Sequence, residues 1–157
     1  MNGINIGIAD KNRKAVTGLL SKLLADEYVL YTRTRNYHWN VVGPHFNDLH
    51  KFFESQYGEM DSYIDEIAER IRSLGEKTPA TLAWFVKNAR IKEHPELPSA
   101  DRMVSNLVSD HESVIQALRE AVFTCEQNND VGTADFLTGL MEKHEKTAWM
   151  LRSVLEK

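Results

Sequence analysis

Several things are scarce in this chain of 157 residues, and each shortage narrows what it can be. It has one cysteine, Cys125, so no disulfide can form within the chain, as suits a reducing cytosol. Prolines number four and glycines eight, too few for a many-turned all-β fold. No apolar run approaches the roughly 20 residues that a membrane span needs. The opening MNGINIGIADKNRK has no early basic region followed by a useful apolar run, so it does not read as a secretory signal. Positive charge is not in excess either. The formal net charge is −4, which gives no general attraction for DNA or anionic lipid. A soluble, cytoplasmic protein is expected, with one domain and a real core, since 42% of the residues are hydrophobic.

What is present is helical periodicity in four long segments. The first spans about 10–41, on the stripe Val16, Leu19, Leu20, Leu23, Leu24, Tyr28, Tyr31 and His38, with Asp10 as N-cap. Gly43-Pro44 ends it. The second spans about 44–74 and stops at Gly75. The third spans about 99–127 and the fourth about 131–156. Between the second and third, Thr78-Pro79 reads as a cap and first helical residue for a short helix over about 79–89. A helix of about 30 residues is about 45 Å long. Only the connection from Gly75 to Pro98 is long enough to cross such a bundle. The expectation is therefore all-α, with the single-crossover topology of ferritin-like four-helix bundles; residues 1–9 form a short arm.

The chemistry gathers around YHWNVVGPHFNDLH, residues 37–50, which holds three of the six histidines. Taking His50 as the origin on a helix, Glu54, Asp61, Asp65 and Glu69 fall at about 40°, 20°, 60° and 100°. One imidazole and four carboxylates thus share one face. Such a stripe is either a solvated acidic face or a set of ligands for iron, manganese or zinc. His50 and Asp65 lie about 22 Å apart along a helix axis, whereas metal–ligand bonds are about 2 Å. They cannot hold one ion within a single chain. An antiparallel copy of the same helix solves this. Residues meet where their numbers share a sum, and His50 with Asp65 and Glu54 with Asp61 share one. The crossing then falls between Tyr57 and Gly58, and glycine lets two backbones approach. The sequence contains no Glu-x-x-His, the pair that builds di-iron sites inside one bundle. An isologous dimer with two equivalent metal sites across its interface is expected.

These residues carry a resemblance. His38-Trp39-Asn40-Val41-Val42-Gly43, then Leu49-His50 and Glu54, resembles the signature of the Dps family of mini-ferritins. The run Met60-Asp61-Ser62-Tyr63-Ile64-Asp65-Glu66-Ile67-Ala68-Glu69-Arg70-Ile71 is similar to its second half, and Thr133–Leu137 and Trp149–Leu151 extend the likeness. The resemblance implies a hollow dodecamer with a ferroxidase site shared by two-fold-related subunits. His38 and His50 would come from one chain, Asp65 and Glu69 from the other. Glu54 would support a second metal or its water. It implies oxidation of Fe(II), with hydrogen peroxide preferred over dioxygen, and storage of Fe(III) inside. Trp39 would be an electron or radical donor, or else an interface anchor. Asp130, an N-cap by position, and Asp135, in the first turn of the last helix, are the candidates for iron-admitting pores.

The remaining histidines and the arm read more plainly. His111 and His144 fall on apolar stripes and read as satisfied core histidines, while His45 and His94 sit in exposed turns. Cys125 reads as a small core residue. Family members that bind DNA use a basic terminal arm, and here MNGINIGIA has no basic residue. Lys11, Arg13 and Lys14 fall in the first helical turn. Twelve copies at −4 each carry about −48. Weak or absent DNA binding is expected; the alternative is a nucleoid-compacting protein with secondary iron chemistry.

Overall fold

The computed structural model describes residues 4–156. The first three residues of the arm lie outside the described residues. Helices are α1 (Asp10–Asn40), α2 (Phe46–Ser73), α3 (Leu82–Asn88), α4 (Ala100–Gln127) and α5 (Val131–Leu155). No strand occurs among the described residues. The long helices bury Val16, Leu20, Leu23, Leu30, Phe53, Met60, Ile67, Leu107, Leu118, Leu137 and Leu151 against one another. Those positions are separated by three, four, seven, eleven or fourteen residues, spacings that put residues on one helical stripe. Cys125 is fully buried among them.

Two helical hairpins make the bundle, α1 with α2 and α4 with α5, joined mainly through α1 and α4. The α2–α5 side is looser and holds a groove of about 570 Å³ lined by Phe52, Gln56, Glu59, Tyr63, Lys143 and Met150. The crossover is latched to α1. The Tyr28 and Phe85 rings stack at 4.1 Å. Buried Asp26 takes Arg90, and Arg33 takes Asp110 and the Lys92 carbonyl. Burial raises both carboxyls above their usual range, and their arginines pull the other way. Tyr37 Oη lies 3.1 Å from His94 Nε2 and accepts from Asn106 at 2.9 Å. That contact leaves His94 half-buried rather than exposed.

Helix ends follow capping chemistry that partly departs from expectation. Ala9, not Asp10, occupies the N-cap of α1, and no side chain caps there. Asp10 instead pairs with Arg13 at 2.7 Å. Arg13 also donates to the carbonyls of Leu74, Ile4 and Ile8, which ties the arm to the end of α2. The short helix starts at Leu82. Its cap is Thr81, which accepts from the Trp84 amide, while the Thr78 hydroxyl donates to the Ala68 carbonyl. Two helices end in the same six-to-one and five-to-two pattern of backbone bonds. At the end of α2, Glu76 N reaches Ile71 O and Gly75 N reaches Arg72 O. At the end of α4, Asp130 N reaches Cys125 O and Asn129 N reaches Glu126 O. The left-handed residues this requires are Gly75 (φ +102°) and Asn129 (φ +59°).

A methyl group at Gly75 would sit 2.3 Å from Ile4 Cδ1, at a φ that disfavours any side chain. Gly75→Ala should therefore lower unfolding stability by about 1–3 kcal/mol. Adding Ile4→Ala should recover only the contact part of that loss. Denaturant unfolding of the three proteins measures both.

Candidate metal centre

The end of α1 and the start of α2 meet at a tight corner. Helix α1 stops because Val41 is extended, and Gly43 turns the chain at φ +117°. The corner brings His38 and His50 face to face, with ring centroids 3.8 Å apart and planes 20° apart. Each ring is fixed by the other residue's backbone. His38 Nδ1 lies 2.7 Å from the His50 carbonyl, and His50 Nδ1 lies 2.8 Å from the His38 carbonyl. A carbonyl only accepts, so both Nδ1 atoms carry protons and donate. In the neutral rings the lone pairs then sit on Nε2. This is the orientation device of a metal-ligating histidine, whose second nitrogen is held by a backbone carbonyl.

Aromatic groups enclose the pair. Phe46 lies 5.1 Å from the His50 ring, and Tyr57 meets the His38 ring edge-on at 5.2 Å. Beyond Tyr57, the Arg35 guanidinium lies 4.9 Å from the Tyr57 ring, 5.1 Å from Trp39 and 5.5 Å from Tyr31. Its Nη1 donates to Tyr31 Oη at 2.6 Å. Trp39 itself is 64% exposed.

The acidic residues are placed elsewhere. Glu54, Asp61, Asp65 and Glu69 are all exposed along α2. Asp61 and Asp65 open onto a hollow of about 370 Å³ bounded by Tyr28, Thr78 and Phe85. Among the described residues, no three metal-binding side chains of one chain converge on a single point. The chain thus offers an oriented nitrogen pair at one end of α2 and free carboxylates further along it. Of the pore candidates, Asp135 is exposed. Asp130 is 1% exposed. Its oxygens cap the Thr133 amide and hydroxyl and pair with Arg70 at 2.9 Å, so within the chain its carboxylate is engaged at the α4–α5 corner.

A second polar cluster lies in the bundle core. His111 Nδ1 and His144 Nδ1 are 2.9 Å apart, and His144 Nε2 is 2.8 Å from Glu27 Oε1. All three residues are essentially unexposed. Nε2 of both histidines and both Glu27 oxygens lack a well-formed hydrogen bond, so these are core histidines but not satisfied ones. His144 turns a different nitrogen to each neighbour, so the three cannot share one ion. Glu27 is not among the residues singled out from the sequence above. It sits in the run Leu20, Leu23, Glu27, Leu30, Thr34, Tyr37, spaced by threes and fours, and a charge on that stripe was the available signal. The sequence does not single out Tyr57 either, because its contacts with His38 and Arg35 reach from one helix to another.

Comparison with known proteins is consistent along the whole bundle. The ferritin-like domain family matches residues 17–157. A low temperature-induced protein of Nostoc sp. is 49% identical, covering 99% of this chain and 88% of its own. DNA protection during starvation protein 2 of Bacillus anthracis is 39% identical, covering 90% of this chain and 97% of its own. Among solved structures, a Dps protein from Bacillus brevis superposes with TM-score 0.90 at 39% identity, over 93% of this chain and 98% of that one. The Vibrio cholerae O1 Dps, described as a member of a superfamily of ferritin-like diiron-carboxylate proteins, gives 0.93 at 30%, over 99% and 100%.

Burial and the neighbouring His144 hold His111 well below the usual histidine range, so it is neutral when folded. The unfolded chain protonates it below about pH 6.5, so the unfolded state then binds more protons and stability falls as pH falls. The slope it adds is up to about 1.4 kcal/mol per pH unit. Urea unfolding between pH 7 and 5 should show a shallower acid loss for His111→Gln than for the parent.

Proposed function

The chain belongs to the Dps family of ferritin-like proteins, and from that premise we propose that it oxidises and stores iron. Fe(II) is the substrate and Fe(III) the stored product, with hydrogen peroxide, or else dioxygen, as oxidant. The observation that carries this reading is the reciprocal backbone tie of His38 and His50. Two stacked imidazoles with both Nδ1 protons committed have only Nε2 left for a ligand. The tie fixes two nitrogen donors in advance of the metal.

The oxygen donors come from a second copy. Asp65 and Glu69 of one subunit face His38 and His50 of its two-fold mate, and Glu54 supports a second iron or its water. Carboxylates hold Fe(III) more strongly than Fe(II), which favours oxidation, and few protein ligands leave room for the oxidant. Two Fe(II) deliver two electrons to one peroxide, whose O–O bond breaks. With two protons the oxygens leave as two waters, and no hydroxyl radical is released. The open surface at Gly58 supports the pairing. A methyl group there would meet nothing of its own chain within 4 Å, so the chain itself has no need of glycine at that position. Twelve such subunits closing as a shell would hold the product, with Asp135 at a pore. DNA is at most a weak partner. The charge is −4 per chain, and Arg13 is consumed by internal carbonyls and Asp10.

Fe(II) titration with peroxide, followed by ferric absorbance, tests the site. The double variant His38→Gly, His50→Gly should lose the fast phase by at least about tenfold while the assembly keeps its size. Normal oxidation by that variant would end the assignment. Mass photometry tests the pairing separately. Gly58→Leu should leave the helical signal intact and shift the particles to smaller species; an unchanged particle mass would remove the crossing at Gly58.

A further inference from the structure

Resting on the iron-oxidising reading, we propose that Tyr57, rather than Trp39, is the protein's one-electron donor when the site holds a single Fe(II). Peroxide takes two electrons, and a lone Fe(II) supplies one. The second must come from a side chain close to the histidine pair. Tyr57 is the oxidisable ring in contact with it, edge-on to His38 at 5.2 Å and half-buried. Tyr31 follows, edge-on to Tyr57 at 6.1 Å. Trp39 is next to His38 in sequence, but its ring is largely exposed and has the Arg35 guanidinium 5.1 Å from its centroid.

Arg35 separates the two candidates by charge. A tryptophan that gives up an electron first becomes a radical cation. Here that cation would form 5.1 Å from a guanidinium that is always charged. A tyrosine loses its proton with its electron and ends neutral, so the same guanidinium 4.9 Å from Tyr57 does not oppose it. Arg35 favours the ground state of all three rings as a cation over π faces, and it penalises only the product that is positive.

The step balances. Fe(II) gives one electron, and Tyr57 gives one electron and its phenolic proton. The O–O bond of peroxide breaks, and with one further proton from solvent both oxygens leave as water. Fe(III) and a neutral tyrosyl radical remain. The device would absorb oxidising equivalents at a half-loaded site.

The test is freeze-quench electron paramagnetic resonance of the assembled protein carrying one Fe(II) per subunit, mixed anaerobically with one equivalent of peroxide. The expected result is a tyrosyl signal that narrows when tyrosines are ring-deuterated. It should be lost in Tyr57→Phe, which keeps the ring against His38, and retained in Trp39→Phe. Arg35→Gln should add a tryptophanyl component. A signal that survives Tyr57→Phe, disappears in Trp39→Phe, or never forms overturns the proposal, as does an Arg35→Gln spectrum identical to the parent's. Ferric absorbance of the parent protein with two Fe(II) per subunit runs alongside. Iron oxidation without a Tyr57 radical rejects this inference alone; no iron oxidation rejects the functional reading and this inference with it.

Discussion

The pair of hydrogen bonds that His38 and His50 exchange with each other's backbone carbonyls is the constraint on which the candidate site depends. Each bond is ordinary, at 2.7 and 2.8 Å. Together they do two things at once. They close the corner between α1 and α2, because each ring grips the opposite helix. They also commit one nitrogen of each ring, which leaves a defined nitrogen for a ligand. Packing of the corner and readiness of the site are therefore one feature. A change that loosens the turn at Gly43 would also free the rings to choose another tautomer.

Helix length then forces the division of labour. A rise of about 1.5 Å per residue carries Asp65 and Glu69 far beyond the reach of an ion held by His50 of the same chain. The fold does not bend to bring them back, and α2 runs unbroken from Phe46 to Ser73. Its acidic face is left exposed, and its glycine is unneeded by its own chain. A straight helix with nitrogen donors at one end and oxygen donors at the other makes chemical sense when a second copy lies across it.

The core cluster of Glu27, His111 and His144 shows the opposite choice. Polar groups from three helices meet inside one bundle, where a ligand set could have converged, but each uses a separate nitrogen of His144. Neutral His111 costs less to bury than a charged one would, and the layer survives on that basis. The interior is closed as a bundle core, while the surface near residues 35–57 carries the oriented donors and the aromatic shell.

Several features were legible in the sequence alone. Spacings of three and four made the chain all-α, and one long connection made the crossover. The positions of His50, Asp65 and Gly58 on a common face follow from helical rotation, which needs no neighbour to fix it. What lies between helices was not legible. Reciprocal bonding of His38 and His50, the turn of Tyr57 against His38 and the contact of Arg35 with Tyr57 all depend on how α1 packs on α2. So did the fates of Asp10 and Thr78, where a nearby arginine or carbonyl decided what each side chain does, whereas the capping role of Asp130 followed from its position in the sequence. A sequence dictates periodicity because it is local and repeats; it does not by itself dictate which side chains from different helices meet, because packing settles that only once the whole core is closed.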